Sequence, residues 1–360
     1  MKKLIVHIGT AKAGSSTIQR FLTINQKRLA NDCALWIADH NMELGLEFER
    51  FPIAYFESLF LRVEAGDRRT ELSNTWEKFA RKMERAGKTT AIISAESISS
   101  NPAYTEFFES ATPHFQIHVI AYIRRQDDWI ASSWKQWPMK SGISLEDYAR
   151  QCMATKSPRF LDVFESWKRI ADPENIRIKP LSDRFLHPQG LAKDFAETAG
   201  IQHGSLDYEM PVVNSTFDYS ILSILQSKPA VFRNVHDNAL FNYLDKFPEL
   251  TKQCGKSASL SSSLQALVMD SFEEENREMH RRYFPHLEYD DVFGLRPETE
   301  QEPPSIIQAL SEVTAIQFKM LQVLDQEVEK LKQRNSPTPW LMSLRNLLSR
   351  WKRSAHKRIY

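Results

Sequence analysis

Two short stretches of this chain carry residue types able to hold a phosphate-like anion. The first is Gly9-Thr-Ala-Lys-Ala-Gly-Ser-Ser-Thr17, which follows the apolar run at 4–8 and precedes Ile18-Gln-Arg-Phe-Leu22. A buried strand turning through a glycine-flanked loop into a helix leaves the first helical amides without intrahelical acceptors. The helix dipole adds partial positive charge at the same place. The candidate ligands of this cradle are Lys12, the amides from Ala13 and Gly14 onward, and the hydroxyls of Ser15, Ser16 and Thr17. Glycines 9 and 14 match the spacing of a nucleotide-triphosphate loop, but Ser15 stands where that motif places lysine. The lysine lies inside the loop instead. Such a loop suits one phosphate group and lacks the side chain that reaches toward the β- and γ-phosphates.

The second stretch is Tyr122-Ile-Arg-Arg-Gln-Asp-Asp-Trp-Ile-Ala-Ser-Ser133. Arg124 falls where a strand ends, and Ser132 about a turn and a half into the next helix, so a strand–helix corner brings guanidinium and hydroxyl to one anion. Arg125 is a second candidate donor; the alternative is that the two arginines pair with Asp127 and Asp128 at the surface. Proton transfer needs a positioned carboxylate or imidazole. Glu96, at the end of a strand, and His40, after the first helix, are the candidates. His7 and His118 lie within strands and read as core or sheet groups. Trp129, Trp134 and Trp137 fall at helical spacings, with core packing set against stacking on a base or sugar.

These residues need a scaffold, and the apolar pattern supplies one. Strands are expected at 3–8, 90–94, 117–123 and 176–179, and helices at 15–30, 72–87, 127–137 and 160–170. Their alternation implies an α/β fold: a parallel sheet flanked by helices. In open parallel sheets ligands sit beyond the carboxyl ends of strands, and the clusters at 12–17, 96–97 and 124–132 all fall at such ends. From 200 to about 295 the chain reads as mostly helical.

Composition narrows the classes. The 360 residues include 42% hydrophobic side chains, enough for a sizeable core, and the formal net charge of +1 argues against a nucleic-acid partner. Cys33, Cys152 and Cys254 are far apart, so neither a disulfide framework nor a zinc site is expected. The apolar run after the two N-terminal lysines is too short for a signal peptide, no segment has the roughly 20 apolar residues of a membrane span, and the expected address is cytoplasmic.

The last 60 residues differ in kind. Residues 1–300 read as one domain, followed by a helical C-terminal extension. Pro303-Pro304 precedes a long helix over 304–335, with Leu310, Leu321, Leu324, Val328 and Leu331 at heptad-like spacing. That suggests a coiled coil, hence a homodimer, or a helix packed on the domain. Residues 336–360 form a basic amphipathic tail. Trp340, Leu341, Leu344, Leu347, Leu348 and Trp351 share one helical face, and Arg345, Arg350, Lys352, Arg353, Lys357 and Arg358 have no acidic neighbours. The pattern over 340–358 is that of a helix lying on the inner face of an anionic membrane, or docked on protein.

Taken together, Lys12-x-Gly14-Ser15-Ser16-Thr17 after the first strand and Arg124-x7-Ser132 after a later one resemble the sulfotransferase family. Further fragments are similar to its bacterial, carbohydrate-type branch: Ile93-Ser-Ala-Glu-Ser97, Tyr122–Trp129, Ala192-Lys-Asp-Phe195 and Glu275-Asn-Arg-Glu-Met-His-Arg-Arg-Tyr-Phe284. The resemblance covers roughly residues 1–295. It implies a P-loop nucleotide-kinase-like fold and 3′-phosphoadenosine-5′-phosphosulfate (PAPS) as sulfuryl donor, with no metal required. It further implies that Lys12 and the loop hold the 5′-phosphosulfate while Arg124 and Ser132 hold the 3′-phosphate. Lys12 would stabilise the leaving phosphate. The acceptor implied is a carbohydrate, glycolipid or small molecule, sulfated on a hydroxyl or, less commonly, an amine. Two other classes fit the loop: a small-molecule or nucleotide kinase, which the displaced lysine disfavours, and a non-catalytic nucleotide-binding scaffold.

Overall fold

Among the described residues, five apolar runs build one parallel sheet: β1 (Lys2–Ile8), β2 (Leu35–Ile37), β3 (Thr90–Ala95), β4 (Phe115–Ile123) and β5 (Ile176–Pro180). The computed structural model describes residues 1–10, 12–32, 35–37, 65–100, 104–201, 204–210, 217, 219–245 and 258–294, with scattered positions between 310 and 330. The strand order is β2-β3-β1-β4-β5, so β1 lies at the centre and pairs with both β3 and β4. A central parallel strand is covered on both faces and therefore reads as a continuous apolar run. That is the character of Leu4 to Ile8, all fully or almost fully buried.

Alternation along the strands divides the core into two layers. Leu4, Val6 and Ile8 face one layer; Ile5 faces the other, as does the buried His7 between its apolar neighbours. Helices follow in the order α1 (Ser15–Ile24), α2 (Gln26–Asp32), α3 (Ala65–Arg85), α4 (Thr105–Glu109), α5 (Gln126–Trp134), α6 (Leu145–Thr155), α7 (Phe160–Trp167) and α8 (Leu191–Ala199). Beyond them lie α9 (Tyr219–Gln226), α10 (Ala239–Leu244), α11 (Ser262–Ser271), α12 (Glu273–Tyr283) and α13 (Tyr289–Phe293). The thinner layer is α1 and α8, with Ile18, Phe21 and Phe195. The thicker one holds α3, α5 and α7, with Trp76, Trp134 and Trp167 among its largest fully buried side chains. Trp76 donates its indole N–H to the Phe107 carbonyl at 2.8 Å, so the ring is buried without a stranded donor.

Several elements depart from expectation for identifiable reasons. The helix expected at 15–30 breaks at Asn25. That buried amide donates to the carbonyls of Phe21 and Asp207 and accepts from the Asp207 N–H, a local competition that favours a helix end over a helix interior. The helix expected to reach 137 ends at Trp134, and Pro138–Ser141 forms a separate short turn. The three-residue edge strand β2 had no expectation at all. Trp129 and Trp134 are buried in the core, which settles the alternative in favour of packing. In the C-terminal extension, the described positions between 310 and 330 are helical. Leu310, Leu321, Leu324 and Val328 are exposed there, whereas Met320 packs with Ile221 and Leu244 of α9 and α10. Leu331 and the basic tail at 336–360 lie outside the described residues. Among those described, no helix is long and apolar enough to cross a membrane.

The carboxyl half of the sheet is bolted together by one buried carboxylate. Asp194 of α8 accepts from the Tyr122 hydroxyl of β4 at 2.7 Å, from the Lys179 ammonium of β5 at 2.7 and 2.6 Å, and from the His187 N–H at 2.9 Å. Every lone-pair direction of the buried carboxylate is served by this set. The sequence fragment around Asp194 is thus accounted for by a structural junction.

Candidate anion-binding cleft

The glycine loop leaves β1 with its conformation fixed by close approach. Gly9 donates to the Ala95 carbonyl at 2.9 Å, and its own carbonyl accepts from the Ser99 hydroxyl at 2.8 Å, tying the ends of β1 and β3. A Cβ on Gly9 would lie 2.4 Å from the Ser15 Oγ and 3.0 Å from the Glu96 Cα. Thr10 donates its hydroxyl to the Tyr122 carbonyl, tying β1 to β4 on the other side. Lys12 (φ 63°) and Gly14 (φ 84°) are both left-handed. Alternating the hand of successive residues turns their amides toward one concavity, which is how backbone builds an anion nest. Gly14 caps α1, and the amides of Ser15 and Ser16 open the helix with no intrahelical acceptor available.

Gly14→Ala tests this geometry. The new Cβ would meet Leu191 Cδ2 at 2.2 Å, and the left-handed backbone costs a non-glycine residue about 1–2 kcal/mol. Urea unfolding is expected to show a loss of that order, together with weakened anion binding. An unchanged midpoint and unchanged binding would mean that the loop relaxes at no cost.

The second corner is built at the end of β4. Arg125 takes an extended conformation at the N-cap of α5 and is buried, in contrast to the surface pairing that the sequence offered. Its guanidinium donates to both oxygens of Asp127, at 3.1 and 2.7 Å, and to the Gly294 carbonyl. Arg125 is therefore a brace between the corner and the chain after α13, and it is withdrawn as a second anion donor. Arg124, one residue earlier, faces the cleft. Along α5 and the turn after it, Trp129, Ile130, Ser133 and Trp134 are buried away from the cleft, whereas Asp128, Ser132, Lys135 and Gln136 line it, with the buried Asp127 and Ala131 also at its wall. This is the division of a helix into two faces at 3.6 residues per turn.

The two corners open into one cleft of about 1130 Å³, whose walls include Lys12, Gly14, Ser15, Ser16, Thr17, Glu96, Arg124, Ser132 and Lys135. Among the described residues, the Ser15 Oγ is buried there with no hydrogen-bond partner. Ala13, in contrast, turns its side chain into the core and offers only backbone. Leu181, Leu186, Leu191, Tyr208 and Met210 form an apolar flank beyond the loop. Lys135 is the site residue that sequence reasoning missed; its signal was its place three residues beyond Ser132 on the same helical face.

Charges in the cleft perturb one another. Burial lowers the Lys12 pKa from its ordinary value, with Glu96 opposing that shift and Arg124 adding to it. Burial raises the Glu96 carboxyl, while the Lys12 ammonium and backbone N–H pull it back. Glu96 is thus held next to the loop lysine, as a proton acceptor for chemistry at the loop requires. His40 lies outside the described residues. His7 is buried and drops to about 3 through loss of hydration, and its Nδ1 is 2.8 Å from the Ser94 hydroxyl, so it belongs to the sheet. Arg281 and Arg282 pair with Glu278, and Arg282 also with Glu165, outside this cleft. No group of three or more His, Cys, Asp or Glu side chains placed to hold a metal ion occurs among the described residues.

Fold and cleft together define an α/β protein with a hydroxyl-lined depression at the carboxyl ends of its central parallel strands, in which Lys12, Arg124 and Lys135 stand among the acids Glu96, Asp128, Asp183 and Asp245. Compared with known proteins, the chain matches no family model and no curated sequence.

Proposed function

We propose that this chain is a PAPS-dependent sulfotransferase with a P-loop nucleotide-kinase-like fold, sulfating a hydroxyl of a carbohydrate or glycolipid acceptor. One observation carries the reading: the glycine loop after β1 and the Arg124–Ser132 corner after the adjacent β4 line the same cleft. A ligand with two separate phosphate-type groups is what two such corners on neighbouring strands accommodate. The residues present fit that donor. The left-handed Gly14 cradle, the orphaned Ser15 hydroxyl and Lys12 suit the 5′-phosphosulfate, and Arg124 with Ser132 suits the 3′-phosphate.

The donor supplies an activated sulfuryl group, and the chain supplies positioning and charge. The acceptor oxygen bonds to sulfur as the bond from sulfur to the 5′-phosphate oxygen breaks. Lys12 and the amides opening α1 meet the charge that grows on the leaving phosphate. Glu96 takes the acceptor's proton, and its neighbour Lys12 keeps the carboxylate available to do so. Homodimerisation through the 304–335 helix and membrane contact through 340–358 belong to the same reading and rest on sequence pattern.

Binding of the desulfonated product, 3′-phosphoadenosine-5′-phosphate (PAP), tests the reading. Native-state ligands stabilise by mass action, about 2.7 kcal/mol at a hundredfold excess over Kd. PAP is expected to raise the melting temperature far more than ATP with magnesium does. Stabilisation by ATP–magnesium with none by PAP would favour a kinase and overturn the proposal.

A further inference from the structure

Lys135 lies at the C-cap of α5, seven residues after Asp128 and three after Ser132, on the helix face that lines the cleft. Its ammonium is held in the company of Arg124 and Lys12. Burial, followed by those two cations, lowers its pKa to about 8, and the opposing pull of Asp128 is the smallest of the four influences. At the Lys135 ammonium the repulsion of Arg124 and Lys12 outweighs the pull of Asp128, and an anion bound among the three cations relieves it. Asp127, the other acid on this corner, is already engaged by Arg125 and does not neutralise the group.

We propose that Lys135 is a third cationic ligand of the cleft, acting with Arg124 and Ser132 on the second phosphate and selecting a bis-phosphorylated nucleotide over a singly phosphorylated one. The assignment rests on the nucleotide reading given above. It has a consequence that a structural lysine lacks. An arriving dianion restores the ammonium, so above pH 8 binding takes up a proton, and affinity falls by up to about tenfold per pH unit. The charged groups facing this ammonium are Lys12 from the glycine loop, Arg124 from the end of β4 and Asp128 from α5 itself. Glu96, Asp183 and Asp245 close the same cleft from β3, the β5–α8 connection and the end of α10.

Calorimetric Kd values for PAP and 5′-AMP, at pH 7 and pH 9, decide the matter for the full-length chain and two variants whose melting curves confirm folding. Lys135→Gln is expected to weaken PAP binding about tenfold or more at pH 7, to leave 5′-AMP within about twofold, and to flatten the loss of PAP affinity at pH 9. Lys135→Arg is expected to restore PAP affinity while also flattening the pH dependence, because guanidinium does not titrate in this range. Wild-type PAP affinity in Lys135→Gln overturns the assignment, as do equal losses for PAP and 5′-AMP. Wild-type protein that binds no PAP at either pH overturns the nucleotide reading, a result distinguishable from failure of Lys135 alone.

Discussion

Lys12→Ala is expected, on the sulfotransferase reading proposed above, to lower sulfuryl transfer from PAPS by about 10²–10³-fold, the usual consequence of removing one preorganised donor to a developing oxyanion. The fold should survive. Lys12 carries a charge that burial and Arg124 both disfavour, and alanine tolerates the left-handed backbone no worse than lysine does. The substitution also removes the nearby cation that holds the Glu96 pKa down. With the neighbour gone, that carboxyl rises further, so the acid limb of the residual pH–rate profile moves to higher pH. A discontinuous assay of labelled sulfate transfer, read beside melting curves, checks both effects. A wild-type rate would remove the lysine from the chemistry. A large loss without movement of the acid limb would separate Lys12 from Glu96.

Asp194→Ala has the largest expected effect on stability. The change strands the Tyr122 hydroxyl, the Lys179 ammonium and the His187 N–H at once. Breaking a buried charged pair by deleting one partner costs about 3–5 kcal/mol. Lys179 retains 31% exposure and can recover part of its hydration, which places the expectation at the lower end of that range. Asp194→Asn keeps the shape and an acceptor for Tyr122 while losing the charge, and should fall between wild type and alanine in chemical denaturation. Equal stability of all three proteins would show that the junction is energetically idle.

Much of the scaffold was legible because buried parallel strands announce themselves as apolar runs. The stretches at 3–8, 90–94, 117–123 and 176–179 each became a strand, with ends shifted by up to two residues. β2 escaped because Leu35–Ile37 is three residues long, too short for any period to show. The break at Asn25 escaped because its cause, Asp207, lies 182 residues away. The same limit applied at the cleft. Lys12, Glu96, Arg124 and Ser132 do line one depression, as their places at strand ends implied. Arg125 looked like a second ligand or a surface ion pair until burial against Gly294, 169 residues on, gave it a bracing role. Local pattern identified the ends of the strands; only the distant partners decided which neighbouring arginine faces the cleft.

The two-faced character of α5 constrains how this chain can change over time. Each residue added or deleted between Arg124 and Ser132 would rotate everything after it by about 100° around the helix axis. A single insertion would swing Ser132 and Lys135 toward the interior and drive Trp134 out to solvent. The interval is constrained along with Ser132 and Lys135 themselves. Distant kin of this protein should therefore be sought by the unaltered count of residues across that corner as well as by its arginine and serine.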